Sequence, residues 1–289
     1  MLKNTLSIIF VILCNSILIA QDHVQENSEI IPKSPSQIKE ALLKKLPERY
    51  FVTVNGGSFY RQYERGLRYD GIDYKVKLDS YKIGKYEITN ELFAEYLNLA
   101  VINGNFYVNE LIENIDSSYS EIKLVNNVYT PIKGKENYPV KDVTWEGAFY
   151  FSEAIGGRLP TEAEWVFAQR GGNKSNGNMY SKNENIDEVA WYKDNSEDAT
   201  HEVGGKQPNE LGIYDMIGNV NEWCSDWLDL EYLKNAEVNN PQGPKEYTIH
   251  GKVALGGTWY SSEPDCRPTF RISGYIMDRC GFRVVMPIE

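Results

Sequence analysis

Three of the chain's four cysteines, Cys224, Cys266 and Cys280, lie in its last third. A thiolate is the soft donor that copper(I), zinc and redox chemistry use. Cys266 follows Gly256-Gly257-Thr258, and Ser261 sits between them. A second group is acidic: Asp215 and Glu222 bracket a Gly218-Asn219 turn. Carboxylates so placed can turn hard oxygens toward Ca²⁺. They can equally cap the turn by accepting backbone N–H bonds without a metal. The three histidines, His23, His201 and His250, are widely spaced and offer no helical metal-binding pair.

Such groups need a scaffold. Ser34-Pro35 marks a helix start, and Ile38, Leu42, Leu43 and Leu46 share one face until Pro47. Thr89 and Thr144 are N-caps for two further helices, carrying Leu92, Phe93, Tyr96 and Leu97, and Trp145, Ala148 and Phe149. Thr161 with Glu164 forms a capping box after Pro160. Phe51 to Phe59 alternates into Gly56-Gly57, which predicts a strand and tight turn, and Tyr74 to Leu78 alternates as a half-buried strand. From Gly171 onward the chain is rich in Gly, Asn, Asp and Pro with short apolar runs. Early helices followed by a loop-rich stretch of short strands predict an α+β domain over 48–289, behind a leader and short helix over 21–47.

Lys3 and the mostly apolar run from Leu6 to Ala20 predict a cleaved secretory signal over 1–20, hence secretion or a periplasmic, cell-envelope location, with no membrane span after cleavage. Bulky Leu13 argues against lipidation at Cys14. The remaining three cysteines allow one disulfide with three possible pairings. With 42% hydrophobic and 25% charged residues the chain is not disordered, and a net charge of -11 excludes a nucleic-acid partner held by bulk charge. The 20 Tyr and 6 Trp suit either a core of irregular segments or a stacking surface.

Several segments are more particular than periodicity explains. Tyr86-Glu87-Ile88-Thr89-Asn90, Pro139-Val140, Val143-Thr144-Trp145 and Gly157-Arg158-Leu159-Pro160-Thr161-Glu162-Ala163-Glu164-Trp165 come first. Pro208-Asn209, Gly212-Ile213-Tyr214-Asp215-Met216, Gly218-Asn219-Val220-Asn221-Glu222-Trp223, Gly256-Gly257-Thr258-Trp259 and Gly281-Phe282-Arg283-Val284 follow. In this order they resemble the sulfatase-modifying-factor, or formylglycine-generating-enzyme-like, family from about Phe51 to the C-terminus.

The resemblance implies a C-type-lectin-like fold with little regular structure. It also implies a catalytic position: family enzymes hold copper(I) between two cysteines five residues apart and oxidise a sulfatase cysteine to formylglycine. Here Ser261 stands at the first cysteine, Cys266 at the second, and Thr258 at the serine that positions oxygen. One thiolate does not supply two-sulfur ligation, so Cys224 or Cys280 would have to approach Cys266 to restore it. Calcium is implied at Asp215, Gly218, Val220 and Glu222, through side chains at the ends and backbone carbonyls in the middle. Asn221 replaces the family's usual tryptophan. Glu110 to Asn137 reads as a polar surface insertion, Arg158 as a buried ion-pair partner, and Trp145, Trp165, Trp223, Trp227 and Trp259 as core. The function implied is a non-catalytic binding or structural module of the bacterial envelope, comparable with gliding-motility and secretion lipoproteins, acting on an unidentified protein or surface ligand. The alternative is a formylglycine-generating oxidase, or a related oxidase using Cys266. The family's iron-dependent relatives need a histidine cluster that this sequence lacks.

Overall fold

A computed structural model describes residues 34–47, 49–65, 68–102, 110–115, 117–177, 185–229, 231–232, 235–274 and 279–288. The signal segment, Cys14, His23 and the start of the leader lie outside the described residues.

The four expected helices form where their caps stand. Helix α1 (Pro35–Lys45) is opened by Ser34, whose hydroxyl accepts from the Gln37 N–H while the Gln37 side chain accepts from the Ser34 N–H. Helix α2 (Asn90–Ile102) follows Thr89. Helix α3 (Trp145–Ala154) begins with the Thr144 hydroxyl accepting the Gly147 N–H. Helix α4 (Glu162–Gln169) has the complete Thr161/Glu164 capping box, and all eight of its residues are buried. A single turn, α5 (Ile186–Val189), follows. No described helix is long and apolar enough to cross a membrane.

The expected strand over Phe51–Phe59 is two strands in two sheets. β1 (Phe51–Val54) ends before Gly56, and β2 (Gly57–Arg65) pairs antiparallel with β3 (Arg68–Leu78) as a separate ribbon. Gly56 packs so tightly that a Cβ would lie 2.5 Å from the Leu78 carbonyl oxygen. β1 instead pairs with β4 (Tyr81–Gly84), which pairs on its other side with β11 (Val285–Met286) near the C-terminus.

The second main sheet runs in the order β10-β7-β8-β9, where β7 is Asn221–Trp227, β8 Lys252–Leu255, β9 Ile272–Gly274 and β10 Cys280–Gly281. The Glu110–Asn137 insertion contains a hairpin, β5 (Ile122–Val125) with β6 (Val128–Pro131). Its polar reading needs correction: Ile122 and Tyr129 are buried, while Leu124, Val125 and Val128 are exposed at the tip.

Two large clusters make the core. One collects α1, α2 and α3, with Phe93, Phe151 and Phe282 in mutual ring contact. The other surrounds α4 and includes Trp165, Cys224 and Leu255. Burying such rings supplies roughly 2–3 kcal/mol apiece, before entropy is counted. A third, smaller cluster joins Tyr192, Ile217 and Cys266 beneath the loop that follows β8.

Candidate functional site

Strand β8 delivers the chain into Gly256-Gly257, both at positive φ, a region open to glycine at little steric cost. A Cβ on Gly257 would stand 2.9 Å from the Cys266 sulfur. The Gly257 N–H donates to Asn221 Oδ1 at 3.1 Å. Asn221, where the resemblance had suggested only a lost aromatic wall, therefore ties the loop to β7. Beyond the glycines the loop closes on itself. The Thr258 N–H donates to Ser261 Oγ at 2.9 Å, and the two hydroxyls lie 3.2 Å apart. Ser261 is thus engaged within its own turn.

Cys266 ends a 3₁₀ turn, Glu263–Cys266, and is 1% exposed. Burial, with Asp265 and Glu263 nearby, pushes its thiol up to about 12. That is the opposite of the depressed value that makes a reactive or metal-binding thiolate. Cys224 is pushed well above the ordinary thiol range, first by burial and then by Asp226 and Glu162. The three thiols are buried, and they fall in three different hydrophobic clusters. The structure thus brings Thr258 and Ser261 together and sets Gly257 against Cys266, while the other two thiols belong to other cores.

The rim of this loop is aromatic and cationic. Tyr260 is 50% exposed, with the Arg279 guanidinium 4.8 Å and the Lys193 ammonium 5.7 Å from its ring centre. Lys141 lies 5.3 Å from the Trp259 ring.

The acidic turn is buried. Asp215 accepts the Gly204 N–H on Oδ2 at 2.6 Å. Glu222 is fully buried and holds Arg283 through two bonds of 2.6 Å, while Trp165 Nε1 donates to it at 2.7 Å. A third carboxylate, Glu87, accepts from the Asn219 side chain at 2.8 Å and from the Val220 N–H at 3.3 Å. Burial, reinforced by Asp215 and Glu222, drives the Glu87 carboxyl well up. Burial also lifts Asp215 to about 6, against the pull of the Gly204 N–H and Arg283.

Among the described residues no three His, Cys, Asp or Glu side chains converge as a metal-binding group, and Glu222 is committed to Arg283. The fit to a hard cation is therefore one of charge: three buried carboxylates face one guanidinium. Backbone oxygens would have to supply most of the ligands beside Asp215.

A second buried network was not foreseen. Glu162 Oε1 accepts from both Arg61 and Arg271, and these guanidiniums hold its carboxyl below the usual range although burial opposes them. Asp226 accepts the Glu162 N–H at 2.8 Å, and burial together with Glu162 lifts it to about 7. A cavity of about 10 Å³ lined by Arg61, Tyr74, Glu162 and Asp226 has room for about one water. Arg158 is paired as expected, donating to Glu164 at 2.7 and 2.6 Å, but its side chain is 44% exposed rather than buried. Trp165, Trp223 and Trp259 are core. Trp145 and Trp227 are partly buried and sandwich the Lys252 ammonium, 4.0 Å from each ring centre.

The family model described as "Sulfatase-modifying factor enzyme 1-like domain" matches residues 37–288. Serine/threonine-protein kinase pkn1 of Chlamydia pneumoniae is 35% identical over 243 residues, covering 82% of this chain and 38% of that protein. This chain therefore spans well under half the length of that relative. Chaperone protein LppX of Paenibacillus barcinonensis is 31% identical, covering 73% of this chain and 79% of the relative. The formylglycine-generating enzyme of Streptomyces coelicolor is 33% identical over 149 residues, 47% of this chain and 46% of the enzyme. Among solved structures, PvdO from Pseudomonas aeruginosa superposes with a TM-score of 0.63 at 21% identity, covering 82% of this chain and 94% of that one. Treponema denticola variable protein 1 gives 0.60 at 23% identity, covering 82% and 95%. These two likenesses concern the fold.

Proposed function

Because the chain belongs to the sulfatase-modifying factor enzyme 1-like family, we propose that it is an exported, non-catalytic binding module of the bacterial envelope. The carrying observation is at one position: Ser261 stands where the family's copper chemistry needs a second thiolate, and its hydroxyl is held by Thr258. A neutral hydroxyl is a poor copper(I) ligand beside a thiolate. Cys266, the remaining family position, is a buried thiol shifted away from ionisation.

The same fold carries catalysts and binders alike, so the site decides between them. The aromatic and cationic rim around Tyr260 supports recognition, since aromatic and arginine side chains are favoured at contact surfaces. The chaperone name of the Paenibacillus relative speaks of acting on another protein. Lys3 and the apolar run after it support export. Calcium at the Asp215–Glu222 turn belongs to this reading as a structural ion, with Asp215 and the carbonyls of Gly218 and Val220 as its ligands. Its support is the two buried carboxyls, Asp215 and Glu87, that lie beside the Glu222–Arg283 pair and whose ionised forms a divalent cation would favour.

The test is incubation of purified protein with copper(I), oxygen and a peptide containing Cys-x-Pro-x-Arg, read by mass spectrometry. The expected result is unchanged peptide. Aldehyde that disappears in Cys266→Ala would overturn the reading in favour of an oxidase.

A further inference from the structure

Strand β2 has one partner, β3. β3 is in turn covered on its far side, where the Lys77 N–H donates to the Val238 carbonyl and the Asn240 N–H to the Lys77 carbonyl. The opposite edge of β2 has no paired strand among the described residues. It borders an open groove of about 430 Å³ lined by Ser58, Phe59, Tyr60, Phe167, Arg170 and Asn173, the last donating to the Asn55 and Gly56 carbonyls just before β2, with small residues beside them. The Tyr60 carbonyl points into this groove, because Arg170 Nη1 donates to it at 3.1 Å. The Tyr60 side chain is 65% exposed, and the stacked Phe59 and Phe167 rings, 5.2 Å apart, form an apolar wall.

The charge is one-sided. Among the described residues Arg170 is the one ionic side chain lining the groove, and no acid does. Burial and the nearby Arg61 guanidinium both lower its hold on the proton, with no carboxylate contributing in the other direction. A half-buried guanidinium with one carbonyl partner has further N–H donors in a planar fork, the shape that binds a carboxylate. This stands on a chain whose net charge is -11, so the local positive groove is against the general trend. An unpaired sheet edge is itself a template for an incoming strand.

We infer that the groove along β2 takes an extended acidic peptide of a partner protein, which adds as a strand to β2 and sets a Glu or Asp carboxylate on Arg170. Main-chain bonds to the β2 edge give affinity. Arg170 and the Phe59/Phe167 wall then select an acidic residue flanked by an apolar one, the division of labour usual in strand addition. The inference deepens the binding reading and rests on it.

The probe is a panel of dye-labelled hexapeptides with a central Glu between aromatic residues, each matched by its Gln counterpart, titrated by fluorescence anisotropy. Binding by members of the Glu series, at least tenfold tighter than their Gln matches and lost in Arg170→Gln, is expected. Arg170→Gln keeps an amide donor for the Tyr60 carbonyl, and a thermal melt checks its folding. Ser58→Pro, which blocks the edge without touching the charge, should also weaken binding at least tenfold. Amide exchange at residues 58–60 should slow on binding. Equal affinity for Glu and Gln peptides, no binding by any Glu peptide, or binding without slowed exchange would each overturn the inference. None of these outcomes touches the copper assay, so the groove can fall while the non-catalytic reading stands.

Discussion

At the scale of single residues, chemistry is decided by what each functional group already holds. Ser261 is bonded to Thr258, Glu222 to Arg283 and Trp165, and Glu162 to two arginines. Asp226 differs, because its neighbours include the Glu162 carboxylate and burial raises it to about 7. A carboxyl raised in the folded state favours folding at low pH, and that contribution is lost as pH climbs through the folded value. Relative to Asp226→Asn, which keeps an oxygen for the Glu162 N–H, the wild type should therefore lose on the order of 4 kcal/mol between pH 4 and 8. Urea unfolding of both proteins across that range measures the difference. A constant gap would show that Asp226 does not titrate there. The reading of position 261 came from the spacing of the family motifs, and the structure adds only its bond with Thr258. Glu87 stands within a family motif, but its place beside the acidic turn was hidden in the sequence, because Asn219 lies 132 residues away. A carboxylate directly between Tyr86 and Ile88 was the available signal.

At the scale of elements, local signals did most where the interaction is local. Thr89, Thr144 and Thr161 each precede the helix they predict, since a cap acts within three residues. In the Phe51–Phe59 run the Gly56-Gly57 pair marked the break, but not that the chain enters a second sheet there, where Gly56 packs closely on the Leu78 carbonyl. Strand pairing was equally hidden: β4 pairs with β11 across two hundred residues of chain, and β10 lies parallel to β7. Two substitutions test whether caps and packing carry these elements. Thr161→Ala should cost about 1 kcal/mol by removing the α4 cap. Gly147→Ala should cost more, about 1–3 kcal/mol, because a Cβ in the first turn of α3 runs into the Leu111 carbonyl. Denaturant midpoints rank the two; the reverse order would mean that α3 moves away from residue 111 without strain.

For the whole molecule, two ring-rich cores and a loop-dominated second half hold the site above a third cluster. The α+β class, the order of blocks and the surface insertion were readable from composition and motif order. The exposed apolar tip of that insertion, Leu124, Val125 and Val128, was not, since the segment reads as polar and only the hairpin register shows where its apolar side chains stand. If calcium holds the acidic turn, a chelator should lower the melting temperature by several degrees, as expected for a ligand bound to the native state alone. Asp215→Ala should remove that sensitivity. No chelator effect, together with no calcium in the native protein by elemental analysis, would assign the three carboxylates to proton and Arg283 pairing instead. The central claim, that no two-thiol copper centre forms around Cys266, is tested most directly by titrating the native protein with copper(I) against a colorimetric chelator of known affinity. The account predicts that the chelator keeps the metal. One tightly held equivalent, lost in Cys266→Ala, would contradict it.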